Sequence, residues 1–116
     1  MSAQEQGAHI TLAQALRANP APGNLAAEMI RRGTVELEFY SPHLTDLQQP
    51  HSRDELYVIA RGTGVLVVES ERFSFKGGDV LFVPAYADHR FVEFSEDFGT
   101  WVLFYGPEGG EANSGH

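Results

Sequence analysis

The chain has 116 residues, of which 42% are hydrophobic, and it carries a formal net charge of −8. This length suits one domain with a core of its own, and eight Phe, four Tyr and one Trp favour a folded globule over a disordered chain. The acidic balance argues against a nucleic-acid partner, which needs a basic face. No apolar run approaches the roughly 18 residues of a membrane helix, so we expect no membrane partner.

Cysteine is absent. This excludes disulfides, thiolate metal ligands and a cysteine nucleophile, so any metal must be held by nitrogen and oxygen ligands. The N-terminus also lacks the basic-then-apolar pattern of a secretory signal. Together these features predict a cytoplasmic protein.

A short helix is predicted near the N-terminus, within a leading segment over residues 1–24. Thr11 and Gln14 have the spacing of a capping box, in which each side chain satisfies the other's free backbone donor. Leu12 and Leu16 form a short apolar stripe, and the following Asn-Pro pair ends the helix. Two turns of helix are not stable alone, so we expect this helix to pack against the outside of a larger body.

Short strands dominate residues 25–106. In the clearest of them, apolar and polar residues alternate from Val35 to Tyr40, as in a half-buried strand. Glycine, proline and other turn residues separate the segments, and eight short strands without intervening helices indicate an antiparallel sandwich or barrel. The predicted strands cover residues 26–31, 35–40, 55–60, 65–69, 72–75, 80–83, 90–94 and 100–105. Residues 107–116 are Gly-rich and polar, which predicts a flexible tail.

Two histidines and a glutamate form a candidate metal site. His51 and Glu55 are four residues apart and share one strand face with Tyr57, while Asp54 takes the other face and is the better candidate for an exposed carboxylate. His89 follows the sixth predicted strand. Two imidazoles and one carboxylate suit Fe(II), Mn(II), Zn(II), Ni(II) or Co(II) and leave ligand positions open.

Each of these residues also has a simpler interpretation. The His51–Glu55 spacing fits one turn of a helix behind Pro50, although the residues that follow are poor helix formers. His89 alone fits a hydrogen-bonded loop histidine, and the whole set fits a relic whose histidines only form hydrogen bonds. We expect His43 to be exposed to solvent and assign no role to the histidines near the two ends.

Two segments of the chain together resemble the paired motifs of the cupin superfamily. They read Gln49-x-His51-x3-Glu55-x6-Gly62 and Gly78-x5-Pro84-x-Tyr86-x2-His89-x3-Glu93, and 15 residues separate them. The resemblance covers roughly residues 35–105. It implies a small single-domain cupin, an all-β protein whose antiparallel jelly-roll (double-stranded β-helix) barrel surrounds a metal, here preceded by the short helix.

The resemblance implies three metal ligands by matching position: His51, Glu55 and His89. Gln49 stands where common cupins have a third histidine, and it carries over only as a weak fourth ligand through its carbonyl oxygen. Tyr86 replaces a motif glycine and Glu93 replaces the final asparagine.

The expected ligand is a small molecule. A divalent ion with two neutral imidazoles and one carboxylate has a net charge of +1, which favours an anionic ligand. The expected pocket wall is aromatic and is formed by Phe39, Tyr57, Phe91 and Trp101. Glu93, on the face of His89, is a candidate proton carrier together with Tyr57, or else forms a salt bridge with Arg90 or Arg53.

Three functions stay open. The first is a divalent-metal-binding cupin that holds a small anionic or aromatic molecule. The second is a metal-dependent dioxygenase, isomerase or lyase, and the third is a metal-free binding or accessory protein. We also expect a homodimer that pairs through residues 25–40, because small antiparallel barrels commonly protect exposed sheet edges in this way.

Overall fold

The computed structural model describes residues 6–42, 46 and 49–112. This part of the chain contains one helix and eight strands, as the sequence pattern predicts. In chain order they are α1 (Leu12–Arg17), β1 (Ala27–Arg32), β2 (Val35–Tyr40), β3 (Asp54–Arg61), β4 (Thr63–Val68), β5 (Glu71–Lys76), β6 (Val80–Val83), β7 (His89–Val92) and β8 (Gly99–Tyr105). Within the described ranges, no helix is both long enough and apolar enough to cross a membrane.

The strands form two antiparallel sheets. Five strands are ordered β1-β2-β8-β3-β6 and three are ordered β5-β4-β7. Side chains from both sheets meet in one core, including Tyr57 and Val102 from the first and Leu66 and Phe75 from the second. The predicted all-β antiparallel jelly roll is confirmed.

The inner face of the five-stranded sheet is the reverse of the one predicted for β2 and β8. Val102 and Phe104 of β8 belong to the core, so their β2 partners Glu38 and Glu36 also face inward. Phe39 and Trp101 instead contact each other edge-on at 5.0 Å on the outer face. Their assignment to the pocket wall is wrong. Both faces of this sheet carry apolar residues, so alternation alone does not reveal which face points inward.

Helix α1 begins with the predicted capping box between Thr11 and Gln14. It packs on the outside of the five-stranded sheet, as expected. The residue that it buries is Ala15, whereas Leu12 stays exposed. Phe39 lies beneath the helix and reaches so close to Gly99 that a Cβ there would be 2.9 Å from the Phe39 ring.

The segment after β8 covers Asp54. The two carboxylate oxygens of Asp54 accept hydrogen bonds from the backbone N–H groups of Ala85, at 3.0 Å, and Glu111, at 2.9 Å. Asp54 is therefore buried, and the expectation that it is exposed is wrong, because residues 107–112 fold back over the start of β3. The remaining residues of the predicted tail, 113–116, lie outside the described part.

Two motif glycines provide a test of this packing. Gly62 and Gly78 both have positive φ values, of 92° and 94°, which disfavour any residue with a Cβ. A Cβ at Gly62 would also lie 2.6 Å from the Phe98 Cα, whereas a Cβ at Gly78 meets nothing within 4 Å. We expect Gly78→Ala to cost about 1–2 kcal/mol of unfolding free energy. Gly62→Ala should cost about 1–3 kcal/mol more, because the overpacked backbone must move.

Urea unfolding of the two variants and the wild type measures this difference. Equal losses for the two variants would show that β3 and the loop before β8 do not approach as closely as described.

Candidate metal centre

The predicted ligands come from both sheets. Glu55 lies on β3 with its side chain in the interior, and only 1% of its surface is exposed. His51 precedes β3, and its carbonyl oxygen accepts a hydrogen bond of 2.6 Å from the N–H of Tyr86, which follows β6. His89 begins β7 in the other sheet. Closing the two sheets on each other therefore brings the three side chains together.

One ligand atom from each of His51, Glu55 and His89 lies within 4.8 Å of the other two. The imidazole rings of the two histidines have centroids 5.4 Å apart. His89 Nε2 lies 3.1 Å from Glu55 Oε1. The three residues that the sequence singled out thus form one compact cluster.

The hydrogen bonding of the cluster leaves its inward atoms unpaired. His89 Nδ1 lies 3.0 Å from the carbonyl oxygen of Ala87, so Nδ1 donates a proton and Nε2 presents a lone pair. His51 Nε2, His89 Nε2 and Glu55 Oε2 are buried and have no hydrogen-bond partner. Such atoms are rare in folded proteins. All three atoms can donate an electron pair to a divalent metal ion. A backbone carbonyl such as that of Ala87 is a usual hydrogen-bond partner for the other ring nitrogen of a histidine that binds metal.

Burial changes the acidity of the cluster. Burial raises the pKa of Glu55 to about 8, Tyr57 opposes this rise, and the carboxylates of Glu38 and Asp46 add to it. Burial also lowers the pKa of His51, and His89 lowers it further. Without a metal, Glu55 is therefore protonated and His51 is neutral at pH 7.

Comparison with known proteins agrees with this arrangement. Residues 33–104 match the sequence profile of the cupin domain. The chain belongs to the cupin family. An uncharacterised protein of Streptomyces coelicolor is 39% identical over 78 residues, which cover 67% of this cupin and 74% of that protein.

Solved structures share the fold at lower identity. A protein of Neisseria meningitidis matches with a TM-score of 0.66 and 18% identity, over 85% of this cupin and all of that chain. The DMSP lyase DddQ of Ruegeria pomeroyi matches with a TM-score of 0.54 and 21% identity, over 63% of this cupin and 39% of that chain. At these identities the likeness shows the fold alone.

Two cavities open beside the ligands of this cupin. The one beside His51 has a volume of about 410 Å³ and is lined by residues that include Glu38, Tyr40, Gln49 and Phe104. The other, about 450 Å³, adjoins His89 and is also lined by Gln49. Gln49 thus lines both cavities, and its role as a fourth ligand remains a prediction.

The predicted aromatic residues divide into two groups. Tyr57 and Phe91 lie in the interior with ring centroids 4.8 Å apart, and Tyr57 lies 6.4 Å from the His89 ring. Phe104, which was not assigned, contacts the His51 ring edge-on at 4.8 Å. The aromatic wall therefore exists, but β8 contributes Phe104 to it instead of Trp101.

Glu93 lies outside the cavity, so its prediction as an inward proton carrier is wrong. Strand β7 ends at Val92, and Glu93 has a left-handed backbone with a φ of 52°. This turns its side chain to the surface, where it is 65% exposed and forms a salt bridge with Arg72. Side chains alternate between the two faces of a sheet only within a strand, and β7 ends before Glu93, so Glu93 does not share the face of His89.

Two carboxylates near the cluster were missed. Asp46 is buried and accepts hydrogen bonds from the Tyr40 hydroxyl and, at 2.7 Å, from the Phe91 N–H. Glu38 is half-buried on the inner face of β2, and burial raises its pKa. Glu38 alternates with Phe39 along β2, so the sequence would have placed Glu38 in the interior if the inward face of β2 had been known. Among the other histidines, His9 is exposed, and His43 and His116 lie outside the described residues.

The acidity of Glu55 predicts how the metal-free protein responds to pH. A carboxyl group whose pKa is about 8 in the folded protein and near 4.5 when unfolded stabilises the fold fully below pH 4.5. This stabilisation decreases by about 1.4 kcal/mol per pH unit as the pH rises towards 8. Glu55→Gln keeps a neutral side chain at every pH.

We therefore expect the melting temperature of metal-free Glu55→Gln, relative to the wild type, to increase steadily from pH 5 to pH 8. The lowered pKa of His51 destabilises both proteins below about pH 6.5 and largely cancels in the comparison. Thermal unfolding in the presence of a chelator measures the difference. A constant difference over this range would contradict a buried, protonated Glu55.

Proposed function

We propose that this cupin binds one divalent metal ion through His51, Glu55 and His89 and holds a small molecule on the open side of the ion. The observation that supports this most strongly is the set of three buried ligand atoms without hydrogen-bond partners. Fe, Mn, Zn, Ni and Co all accept two imidazoles and one carboxylate. When bound, such an ion supplies a Lewis acid and open positions for water or ligand.

A relic that binds no metal is less well supported. Leaving a buried donor or acceptor unpaired costs about 1–3 kcal/mol per group, and three such groups lie together here. Without a role for these atoms, apolar residues of similar size would stabilise the barrel better. A metal-free binding or accessory protein therefore fits the cluster less well than a metal-binding one.

The charges around the cavity change the expected ligand. The carboxylates of Glu38 and Asp46 both raise the pKa of Glu55, and they line the cavities beside His51 and His89, so the surroundings of the cluster carry negative charge. In the cavity beside His51 the lining arginine, Arg31, is paired with Glu28 at 2.8 Å and with Glu36 at 3.1 Å, whereas Arg90 lines the cavity beside His89. We therefore propose a ligand that donates an oxygen atom to the metal and carries an ammonium or hydroxyl group towards Glu38.

A metal-dependent isomerase or lyase is the second candidate. Glu38 is a half-buried carboxylate with a raised pKa in the cavity that also exposes His51. These are the properties of a group that moves a proton to or from a bound molecule. In this version Glu38 takes the role predicted for Glu93, and the metal supplies the Lewis acid.

Metal binding can be measured directly. Protein purified without a polyhistidine tag and without chelators should bind one divalent ion per chain, and loading should raise its melting temperature. His51→Ala and His89→Ala should each remove most of this rise, because each deletes a ligand. His9→Ala is the matched control, since His9 is exposed and outside the cluster.

Plasma emission analysis gives the stoichiometry and scanning calorimetry gives the shift. A stoichiometry near zero after incubation with each of the five metals would refute the proposal. An equal loss of affinity in His9→Ala would show that the histidines bind metal nonspecifically.

Ligand recognition by Glu38 can be tested with a matched pair of probes. We expect Co(II)-loaded protein to bind 3-aminopropionate about 10-fold more tightly than propionate, because the ammonium group forms a charge-assisted hydrogen bond. Glu38→Gln should abolish this preference and change the Co(II) affinity only slightly, because Glu38 acts on the site through its charge and is not a ligand. Glu28→Gln, at the rim of the same cavity, should retain the preference.

Titration of the visible Co(II) spectrum measures all of these affinities. If the wild type binds the two probes equally, or if Glu38→Gln keeps the preference, Glu38 does not select the ligand. That result would leave the metal site itself in place.

A further inference from the structure

The segment that follows β8 folds back onto the residues that precede β3. The N–H of Gly109 donates a hydrogen bond of 2.6 Å to the carbonyl oxygen of Ser52. The N–H of Glu111 donates another, of 2.9 Å, to Asp54 Oδ2. We call residues 107–111 the C-terminal strap.

The strap fits closely enough against Asp54 to require glycine at position 110. Gly110 has a φ of 89°, and a Cβ there would lie 2.8 Å from Asp54 Oδ1 and 3.3 Å from the Ala85 Cβ. The Glu111 side chain folds back over the beginning of the strap, because a Cβ at Gly106 would lie 2.6 Å from Glu111 Oε2. The strap is therefore packed directly onto Asp54.

The turn between β6 and β7 holds the same region from the other side. The N–H of Ala85 donates a hydrogen bond of 3.0 Å to Asp54 Oδ1. The N–H of the next residue, Tyr86, donates one of 2.6 Å to the carbonyl oxygen of His51. Asp54 therefore connects the strap, through Oδ2, with the turn that holds the backbone of a candidate metal ligand, through Oδ1.

The same turn also supports the second histidine. The carbonyl oxygen of Ala87 lies 3.0 Å from His89 Nδ1, and Nε2 of the same ring lies 3.1 Å from Glu55 Oε1. Tyr86, between the two supporting residues, has a left-handed backbone with a φ of 67°. A residue with a Cβ keeps this conformation only where the surrounding contacts hold it. Releasing Asp54 from the turn would therefore disturb the positions of both histidines.

His51 needs such support because it lies outside the sheet. Strand β3 begins at Asp54, three residues after His51, so the strand pairing starts beyond this ligand. Glu55, in contrast, is paired on both sides of β3, with β6 and with β8. The position of His51 thus depends on the turn and the strap, whereas the position of Glu55 depends on the sheet.

On the basis of the function proposed above, we propose that Asp54 is a positioning residue of the metal centre and that docking of the C-terminal strap onto it raises the affinity for the ion. Asp54 acts through the β6–β7 turn and through the residues just before β3. Contacts of this kind around metal ligands change metal affinity about 10- to 100-fold. The coupling is reciprocal, so metal binding stabilises the docked strap by the same factor.

Two full-length variants test this coupling through their affinity for Zn(II), measured by competition with a chromogenic chelator. Gly110→Ala should displace the strap, because the new Cβ overlaps with Asp54 Oδ1. Asp54→Asn should lose one of the two backbone contacts, because an amide nitrogen cannot accept a hydrogen bond. We expect each variant to bind Zn(II) about 10-fold more weakly than the wild type.

Two matched controls lie in the turn between β5 and β6, where the N–H of Gly78 donates to the carbonyl of Ile59 towards the opposite end of β3. Gly78→Ala introduces a Cβ at a similar positive φ, of 94°. Asp79→Asn changes another aspartate that accepts a backbone hydrogen bond, in this case from Lys76. Both controls lose stability for the same reasons, yet they should bind Zn(II) with wild-type affinity.

Hydrogen exchange of the wild type, followed by NMR, tests the coupling in the other direction. Zn(II) should slow the exchange of the Glu111 N–H about 10-fold, as reciprocity requires. The Lys76 N–H, which donates to Asp79, is the internal control and should exchange at the same rate with and without Zn(II).

The outcomes separate this proposal from the proposed function. A wild type that binds no divalent metal refutes the proposed function itself. A wild type that binds Zn(II) while Gly110→Ala and Asp54→Asn keep its affinity overturns only the role of Asp54 and the strap. Equal losses of affinity in the two controls, or exchange of the Glu111 N–H that Zn(II) leaves unchanged, also overturn that role. Circular dichroism confirms that each variant is folded.

Discussion

The candidate site depends on the buried contact between Glu55 and His89. His89 Nε2 and Glu55 Oε1 are 3.1 Å apart in a buried site, and the His89 tautomer turns a lone pair towards the carboxylate. Two lone-pair acceptors at this distance repel each other unless a proton or a metal ion lies between them. In the metal-free protein the raised pKa of Glu55 favours the protonated carboxyl group, and a bound metal ion would displace this proton. The jelly roll maintains the arrangement, because the ligands lie in different sheets.

The five-stranded sheet uses its two faces in an uncommon way. Its inner face combines core residues such as Val102 with the carboxylates of Glu36 and Glu38, whereas its outer face is apolar across all five strands. Glu38 lines the cavity beside His51, so its negative charge favours a cationic group in any molecule that enters there. The candidate metal centre and the outer apolar side chains therefore lie on opposite faces of one sheet.

The sequence predicted the strand order along the chain and the His51, Glu55 and His89 cluster, because motif spacing fixes positions relative to strand ends. It failed where a residue's environment depends on another segment. Phe39 and Trp101 alternate with other residues as side chains of an inner wall would, but the outer face of this sheet is also apolar and produces the same alternation. Glu93 left the predicted face because β7 ends one residue earlier. Asp54 is buried by a segment more than 50 residues away along the chain.

The most direct test of the metal centre is X-ray absorption at the metal edge of protein loaded with one equivalent of Zn(II) or Co(II). Two imidazole ligands together with oxygen ligands are the expected first coordination shell, and no sulfur is expected, because the chain has no cysteine. A shell without imidazole scattering, or an ion that is lost on simple dialysis, would contradict the account.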